Sequence, residues 1–344
     1  MARLSDSKHQ MPQIESFRPS TLRLPTLSDD EQAMLDNVMR QCLAVTADDR
    51  VVVVADPPQR SVGEMFYAGA ARHTDDVTLI VMPVAERHGS EPLPEVADAM
   101  RGASVCLLPT SKSLTHTQAR TDATKSGARI ASMSSITREM ALRTLAADYS
   151  EIARESTELA TSLSAASEVN VTSPGGCDLT FSVEGRPAHA DTGQFTTPGD
   201  MGNLPAGEAF VAPIEGSANG LVVIDAASIV PEAPLGSPTH IQVQDGRAVH
   251  VEGTAASQLE VVFADIGDGA RNIAELGIGT NPRATLSRNV LEAEKVAGTA
   301  HVALGASLHI GGTVDVPFHQ DGVIAWPTIR VDGRAIVDHG KRVP

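Results

Sequence analysis

Four runs of apolar residues in the first half of the chain constrain its fold more than any other feature. Each run is apolar at consecutive positions, so it lacks the alternation of a strand that has one face in water, and helical patterns separate the runs. Strands that are apolar on both faces and alternate with helices indicate a parallel sheet covered on both sides. The runs are VVVVAD, VTLIVMP, SVCLLP and ARIASM, which begin at residues 51, 77, 104 and 128.

These runs predict a small doubly wound α/β domain over residues 28–167, which ends in a long helix from about residue 137 to residue 167. The polar, proline-containing residues 1–27 are expected to form a loose N-terminal arm. From residue 168 the pattern changes to short strands joined by tight turns, with hairpins about Asp245-Gly246 and Asp332-Gly333. We therefore expect residues 168–344 to form a β-rich α+β domain.

The charge balance excludes several classes of partner. The 344-residue chain carries a formal net charge of −16, whereas nucleic acids and anionic membranes bind clustered Lys and Arg. Its three cysteines lie far apart without a CxxC spacing, which fits a reducing cytoplasm. No segment approaches an apolar run long enough to span a membrane. We expect a cytoplasmic protein that acts on a small molecule and binds neither nucleic acid nor membrane.

The α/β half carries no motif for nucleotide binding. None of its strands is followed by GxGxxG or GxxxxGK, the glycine patterns that cradle phosphate. The segment TSKSLTHTQART places His116 at the carboxyl end of the third strand, where open α/β sheets present ligand-facing residues. His116 is therefore a candidate substrate-binding residue, and an exposed histidine beside a helix cap is the alternative.

Acids and imidazoles within apolar segments of the second half indicate a metal site. Glu275 stands within NIAELGIG and His301 within GTAHVALG. His319 and Asp321 are two positions apart in PFHQDGVI, so on a strand both project from one face. Burial of such groups is costly unless they are paired or bind a metal. Glu208, after the Pro-Ala-Gly turn of NLPAGEAF, is either a further ligand or a solvated turn residue.

Together, the ordered segments NLPAGEAF, NIAELGIGTNP, GTAHVALG and FHQDGVI resemble the metal-dependent aminopeptidases of the aminopeptidase T type. That family also includes the 2,5-dihydroxypyridine 5,6-dioxygenases. The resemblance to the peptidases implies a homodimer in which each chain holds two divalent metal ions, Zn, Co or Mn. It implies that the ligands are Glu208, Glu275, His301, His319 and Asp321.

Two positions depart from the patterns of these relatives. The peptidases carry a catalytic tyrosine where this chain has Leu308, and His309 beside it is a substitute donor that would point the opposite way on a strand. The dioxygenases hold one iron through two histidines and an aspartate. Glu275 stands where they have a histidine, whereas His319 and Asp321 fit both patterns.

Ligand chemistry favours a hydrolase among the functions that these residues suggest. A carboxylate-rich set of five ligands suits two cations and a shared water that attacks an amide or related bond. The alternatives are a ring-cleaving dioxygenase with one Fe(II) and a non-catalytic small-molecule binding protein. The candidate catalytic groups are Glu208, Glu275 and His309. The candidate substrate-binding residues are His116, Arg186, His189 and Lys295.

Overall fold

The computed structural model describes residues 14–17, 25–230 and 234–343. Its internal contacts divide the chain into two compact units. The first unit comprises Met1–Glu139 and Phe195–Leu204, and the second comprises Met140–Gln194 and Pro205–Pro344. This division differs from the ranges 1–27, 28–167 and 168–344 proposed from the sequence, because residues 140–167 belong to the second unit and residues 195–204 belong to the first.

The helices and strands are numbered along the chain. The α-helices are α1 (Asp29–Asn37), which continues as a π-helix over Val38–Cys42, α2 (Arg60–Ala70), α3 (Pro94–Arg101), α4 (Gln118–Lys125), α5 (Arg138–Thr144), α6 (Tyr149–Ser164), α7 (Ala256–Ile266) and α8 (Val290–Ala293). Short 3-10 helices cover Pro57–Gln59, Asp268–Arg271 and Leu308–Ile310. The strands are β1 (Glu15–Phe17), β2 (Val51–Ala55), β3 (Val77–Val81), β4 (Val105–Leu108), β5 (Arg129–Ser132), β6 (Glu168–Thr172), β7 (Asp178–Ser182), β8 (His189–Asp191), β9 (Met201–Asn203), β10 (Glu208–Val211), β11 (Asn219–Ile224), β12 (Thr239–Gln244), β13 (Arg247–Gly253), β14 (Ile273–Gly279), β15 (Ala300–Gly305), β16 (His319–Ile324), β17 (Thr328–Val331), β18 (Arg334–Asp338) and β19 (Lys341–Arg342).

The first unit is built on a six-stranded sheet in the order β1-β3-β2-β4-β5-β9. The four apolar runs form β2 to β5, which pair in parallel as predicted. One core of this unit joins β2 to β5 with α3 and α4, since Val52, Cys106 and Ile130 pack with Val96 and Met100. Of the predicted N-terminal arm, residues 15–17 form β1, which pairs antiparallel with β3. Residues 1–13 and 18–24 of that arm lie outside the described part of the chain.

The helix predicted from about residue 137 to residue 167 is two helices, so that prediction was wrong. Helix α5 ends at Thr144, and α6 begins at Tyr149. Asp148 is the N-cap of α6 because its side chain accepts a hydrogen bond from the backbone N–H of Ser150. A capping aspartate satisfies an otherwise unpaired helix N–H, so it favours a new helix start at this point.

The second unit contains two antiparallel sheets. One has five strands in the order β16-β15-β14-β10-β8, and the other has eight in the order β13-β12-β11-β7-β6-β17-β18-β19. The predicted hairpins about Asp245-Gly246 and Asp332-Gly333 are confirmed as β12–β13 and β17–β18. All four turn residues have positive φ, which is the backbone of a type I′ turn. The mixed α/β class predicted from the sequence is thus confirmed.

Among the described residues, no helix is both long and apolar enough to cross a membrane.

A buried ion pair links separate segments of the first unit. Arg129 on β5 lies 2.5 Å from Asp49 and also donates to the backbone oxygen of Leu43. Asp49 accepts further hydrogen bonds from the backbone N–H of Thr46 and the hydroxyl of Ser104. Burial acts to raise the pKa of Asp49, but these bonds outweigh it and lower that pKa. The carboxylate is therefore held in its charged form.

We expect Asp49→Asn to lower the free energy of unfolding by about 3 kcal/mol, because it leaves the Arg129 charge buried without its partner. Urea unfolding followed by circular dichroism measures this loss. Asp76→Asn is the matched control, since it removes a carboxylate from the exposed pair with Arg50, where we expect a loss of less than about 1 kcal/mol. Equal losses in the two variants would contradict the assignment.

Candidate metal centre

Strand alternation places the polar residues of the five-stranded sheet on one of its faces. On β14 and β15, Leu276, Ile278, Val302 and Leu304 belong to the hydrophobic core of the second unit. Glu275 lies at an intervening position, as does His301 on the neighbouring strand, so these side chains project from the other face. Because the core residues fix the register, the polar side chains cannot exchange faces with them.

The pairing of the strands brings residues that are distant in sequence side by side. Ala303 on β15 pairs with Glu275 on one side and with Asp321 on the other. His301 pairs with Gly277, and a Cβ at Gly277 would lie 2.0 Å from His301 Nε2. The imidazole of His301 therefore lies directly over Gly277 of β14, where a larger residue would place a side chain.

Glu275, His319 and Asp321 form one possible set of metal ligands, here called the Asp321 group. One donor atom from each residue lies within 4.8 Å of the other two. His319 Nε2 is 3.5 Å from Glu275 Oε2 and 3.6 Å from Asp321 Oδ1. His319 Nδ1 is 2.8 Å from the backbone oxygen of Ala306, which only an Nδ1–H donor satisfies. That bond leaves Nε2 as the atom that faces the carboxylates.

Glu208, Glu275 and His301 form a second set, here called the Glu208 group. Their donor atoms also lie within 4.8 Å of one another. His301 Nε2 is 3.2 Å from Glu208 Oε2 and 3.4 Å from Glu275 Oε1. Glu275 belongs to both groups, so the structure brings all five residues expected to bind metal into one continuous cluster.

Several buried atoms of this cluster lack a hydrogen-bonding partner. Glu208 Oε2, His301 Nδ1 and Asp321 Oδ1 are inaccessible and make no hydrogen bond. Buried polar atoms in folded proteins nearly always have a partner, so such atoms need an explanation. Carboxylate oxygens and imidazole nitrogens are ligands for divalent transition metals. The residues present therefore fit a bound cation.

Comparison with known proteins identifies the family. A family model described as 2,5-dihydroxypyridine 5,6-dioxygenase, NicX, matches residues 31–344. The chain belongs to this family. No curated protein sequence matches the chain significantly.

Two solved structures share the fold of this dioxygenase-family chain. The structure of 2,5-dihydroxypyridine dioxygenase from Pseudomonas putida KT2440 has a TM-score of 0.78 at 20% identity, with 93% of this chain and 98% of that one covered. Wild-type AmpT from Thermus thermophilus has a TM-score of 0.67 at 17% identity, with 92% and 99% covered. The resemblance to both groups of relatives is thus confirmed.

The expectation that the chain is primarily a hydrolase was wrong. The family match favours the dioxygenase that stood as the alternative, and the chain belongs to a family of enzymes. The expectation followed from a count of carboxylates, but a count does not show which of them is available to a metal.

In this dioxygenase-family chain, the residues of the Asp321 group carry opposite charges that shift one another's pKa. Burial acts to lower the pKa of His319, but the carboxylates of Asp321 and Glu275 outweigh it and raise that pKa to about 10. Burial also acts to raise the pKa of Asp321, but His319 outweighs it and lowers that pKa far below its usual range. A proton on His319 thus balances the carboxylates, and a metal ion bound by this nitrogen would displace that proton.

Glu275 lies at the most crowded point of the cluster. Burial raises its pKa, and the negative charges of Asp321 and Glu208 raise it further, against the opposing effect of His301. Three carboxylates that face one another repel, and a divalent cation between them would remove that repulsion.

Lys295, a candidate for substrate contact, is instead buried beside the Glu208 group. Its Nζ lies 2.5 Å from Glu208 Oε1, 2.8 Å from Glu294 Oε1 and 3.6 Å from Asp191 Oδ2. Sequence reasoning missed Glu294 and Asp191. Burial raises the pKa of Glu294 to about 8 and that of Asp191 to about 6, although Lys295 opposes both shifts. Asp191 could be found only through the pairing of β8 with β10, which sets it opposite Glu208.

His309 and His189 lie in different surroundings. His309 belongs to a 3-10 helix rather than to the strand that the sequence suggested, so that expectation was wrong. Its ring contacts the ring of His319 edge-on, with centroids 5.1 Å apart. His189 stacks on Phe210 at 5.3 Å, and its buried Nε2 makes no hydrogen bond. Leu308, at the position of the peptidase tyrosine, is 54% exposed.

The two remaining candidates, Arg186 and His116, lie in other surroundings. Arg186 forms an ion pair with Glu215 and donates to the backbone oxygen of Gly311, contacts that stabilise the fold. His116 belongs to the first unit, where its side chain is exposed.

We expect Gly277→Ala to weaken metal binding by about tenfold, because the added methyl group displaces the His301 ring that supports Glu275. Titration calorimetry with Mn²⁺ on the metal-free protein measures the affinity. Gly102→Ala is the control, since a Cβ there has no neighbour closer than 3.5 Å. An unchanged affinity in Gly277→Ala would show that the place of the His301 ring does not matter for the site.

Proposed function

We propose that the chain is a non-haem iron dioxygenase that opens the ring of a dihydroxypyridine or a closely related hydroxylated heteroaromatic compound. The observation that carries this proposal is the match of the dioxygenase family model to residues 31–344. The Asp321 group supports it in part, because His319 and Asp321 match one histidine and the carboxylate of the 2-His-1-carboxylate face of non-haem Fe(II) oxygenases.

In this proposal the iron is held by Glu275, His319 and Asp321. Glu275 stands where the related dioxygenases have a histidine, so the set has one imidazole and two carboxylates. His301 Nε2 lies 3.4 Å from Glu275 Oε1. In this proposal His301 orients the Glu275 carboxylate and is not itself an iron ligand. The two carboxylates favour a divalent cation that takes oxygen ligands, such as Mn²⁺, and the imidazole suits Fe²⁺.

The family reaction defines what the residues around the iron must do. A 5,6-dioxygenase breaks the ring bond between C5 and C6 and places one atom of O₂ on each of these carbons, so that no external reductant is consumed. Bound iron supplies the activation of O₂ by a change of oxidation state. The protein must orient the ring and bind its hydroxyl groups.

His309 is the residue that we assign to substrate binding. Its ring contacts His319, so it lies beside the Asp321 group without belonging to it. An imidazole at this place can donate a hydrogen bond to a ring hydroxyl or its oxyanion. His189 lies on β8, at the other edge of the sheet from β16, so we assign it no contact with the same ring.

We expect the protein reconstituted with Fe(II) without air to consume one O₂ for each molecule of 2,5-dihydroxypyridine. His319→Ala should lower this rate by at least about a hundredfold, because it removes an iron ligand. An oxygen electrode measures the uptake, and loss of the ring absorbance measures the substrate.

His250→Ala is the matched control, since His250 lies on β13 and pairs with Glu252 in an exposed position. We expect this variant to keep full activity. Oxygen uptake that persists in His319→Ala, or hydrolysis of amides without O₂ uptake by the native protein, would contradict the proposal.

A further inference from the structure

The connection between β15 and β16 contacts His319 at two points. The backbone oxygen of Ala306 accepts a hydrogen bond from His319 Nδ1 at 2.8 Å. The ring of His309 contacts the ring of His319 edge-on, with centroids 5.1 Å apart. Residues 306–314, here called the His309 turn, therefore orient His319 and also carry the imidazole that we assign to substrate binding.

The His309 turn buries little apolar surface of its own. Its 3-10 helix, Leu308–Ile310, is a single turn, and so short a helix needs support from the surrounding structure. Leu308 and His309 are exposed, and only Ile310 of these three residues is buried. The turn is closed by the backbone N–H of Ser307, which donates to the oxygen of Val314 at 2.9 Å. Contacts from outside the turn must therefore contribute to its position.

Glu215, between β10 and β11, supplies such a contact. Its Oε1 accepts hydrogen bonds from the backbone N–H of Thr313 at 2.6 Å and from the hydroxyl of Ser307 at 3.4 Å. A Cβ at Gly312 would lie 2.9 Å from the same oxygen, so the backbone of the turn packs directly against this carboxylate. Burial acts to raise the pKa of Glu215, but bonds from backbone N–H groups outweigh it and lower that pKa. An ionised acceptor of this kind forms stronger hydrogen bonds than a neutral one.

Arg186, which follows β7, joins Glu215 to the other end of the turn. Its guanidinium forms an ion pair with Glu215 and donates to the backbone oxygen of Gly311. A guanidinium that binds a carboxylate and a carbonyl at once fixes the distance between them. The segments that carry the two residues are also joined, because the backbone N–H of Ile214 donates to the oxygen of Ser182 at 2.8 Å. Arg186 and Glu215 thus form a rigid support for the turn.

We propose that Glu215 and Arg186 are positioning residues for substrate binding. They hold the His309 turn in place, so that the imidazole of His309 stays beside His319 and faces the ring of the substrate. Neither residue contacts the substrate in this account, and both act through His309. The inference rests on the proposed function in so far as His309 binds the substrate.

The position of the His309 ring is the first test. Nuclear magnetic resonance of the full-length protein, with ¹³C-labelled histidines and loaded with diamagnetic Zn²⁺, reports the ring of His309, and His309→Ala assigns its resonance. Glu215→Ala should shift or broaden this resonance, because the turn loses its acceptor and the ring leaves its place beside His319. An unmoved resonance would overturn the inference.

Glu260→Ala is the matched control. Arg271 lies 3.1 Å from Glu260 and donates to the backbone oxygen of Ala248 at 3.0 Å, so this variant removes a carboxylate from the same type of contact. We expect the His309 resonance to remain as in the native protein. A change equal to that in Glu215→Ala would overturn the specific role of Glu215.

Arg186→Met answers the same question should Glu215→Ala fail to fold. It removes the guanidinium from both Glu215 and the carbonyl of Gly311. The resonance of His309 should move in this variant as well, and an unmoved resonance would overturn the inference.

A double-mutant cycle tests whether Glu215 acts through His309. In the Fe(II)-loaded protein, Glu215→Ala should raise KM for 2,5-dihydroxypyridine by about tenfold, with a change of less than about twofold in kcat, because a displaced imidazole weakens substrate binding. In the His309→Ala background the same substitution should change KM by less than about twofold, since the positioned group is absent. A tenfold effect in both backgrounds would overturn the inference.

The two tests separate this inference from the proposed function. A native protein that consumes no O₂ with 2,5-dihydroxypyridine would refute the proposed function, and the resonance of His309 would still decide whether Glu215 and Arg186 hold the turn. Normal O₂ uptake together with an unmoved His309 resonance in Glu215→Ala would refute only this inference.

Discussion

The structure of the candidate site depends on the alternation of side chains along β14 and β15. One set of positions packs into the apolar core of the second unit, and this packing fixes the register of the strands. The other set must then present Glu275 and His301 on the opposite face, where strand pairing adds Asp321 beside them. The core thus brings together carboxylates that repel one another and buried polar atoms that lack a partner, and a bound cation would resolve this conflict.

Much of this arrangement could be predicted from the sequence, because a charged residue inside an apolar strand is conspicuous. Glu275, His301 and the pair formed by His319 and Asp321 all stand out in this way, and the apolar runs of the first unit mark their strands equally well. The surroundings of Lys295 could not be predicted. Its partner Glu208 is 87 residues away, and their contact follows from tertiary packing that no local pattern records.

Local patterns also failed where backbone geometry depends on single residues. The segment around His309 resembles the end of a strand, yet it turns into a 3-10 helix that sets His309 against His319. The same limit affected the prediction of function from the sequence. A count of five possible ligands favoured two metals and hydrolysis, but the count could not reveal that an ammonium contacts one of the carboxylates. Only the match to the dioxygenase family corrected that expectation.

The central claim is that one cation-binding site lies between Glu275, His319 and Asp321. Anomalous diffraction at the iron absorption edge, from crystals of the Fe(II)-loaded protein, tests it most directly. Our account predicts a strong anomalous peak within coordination distance of these three side chains, about 2.0–2.3 Å from their donor atoms. A peak remote from them, or side chains that point away from one another in those crystals, would contradict it.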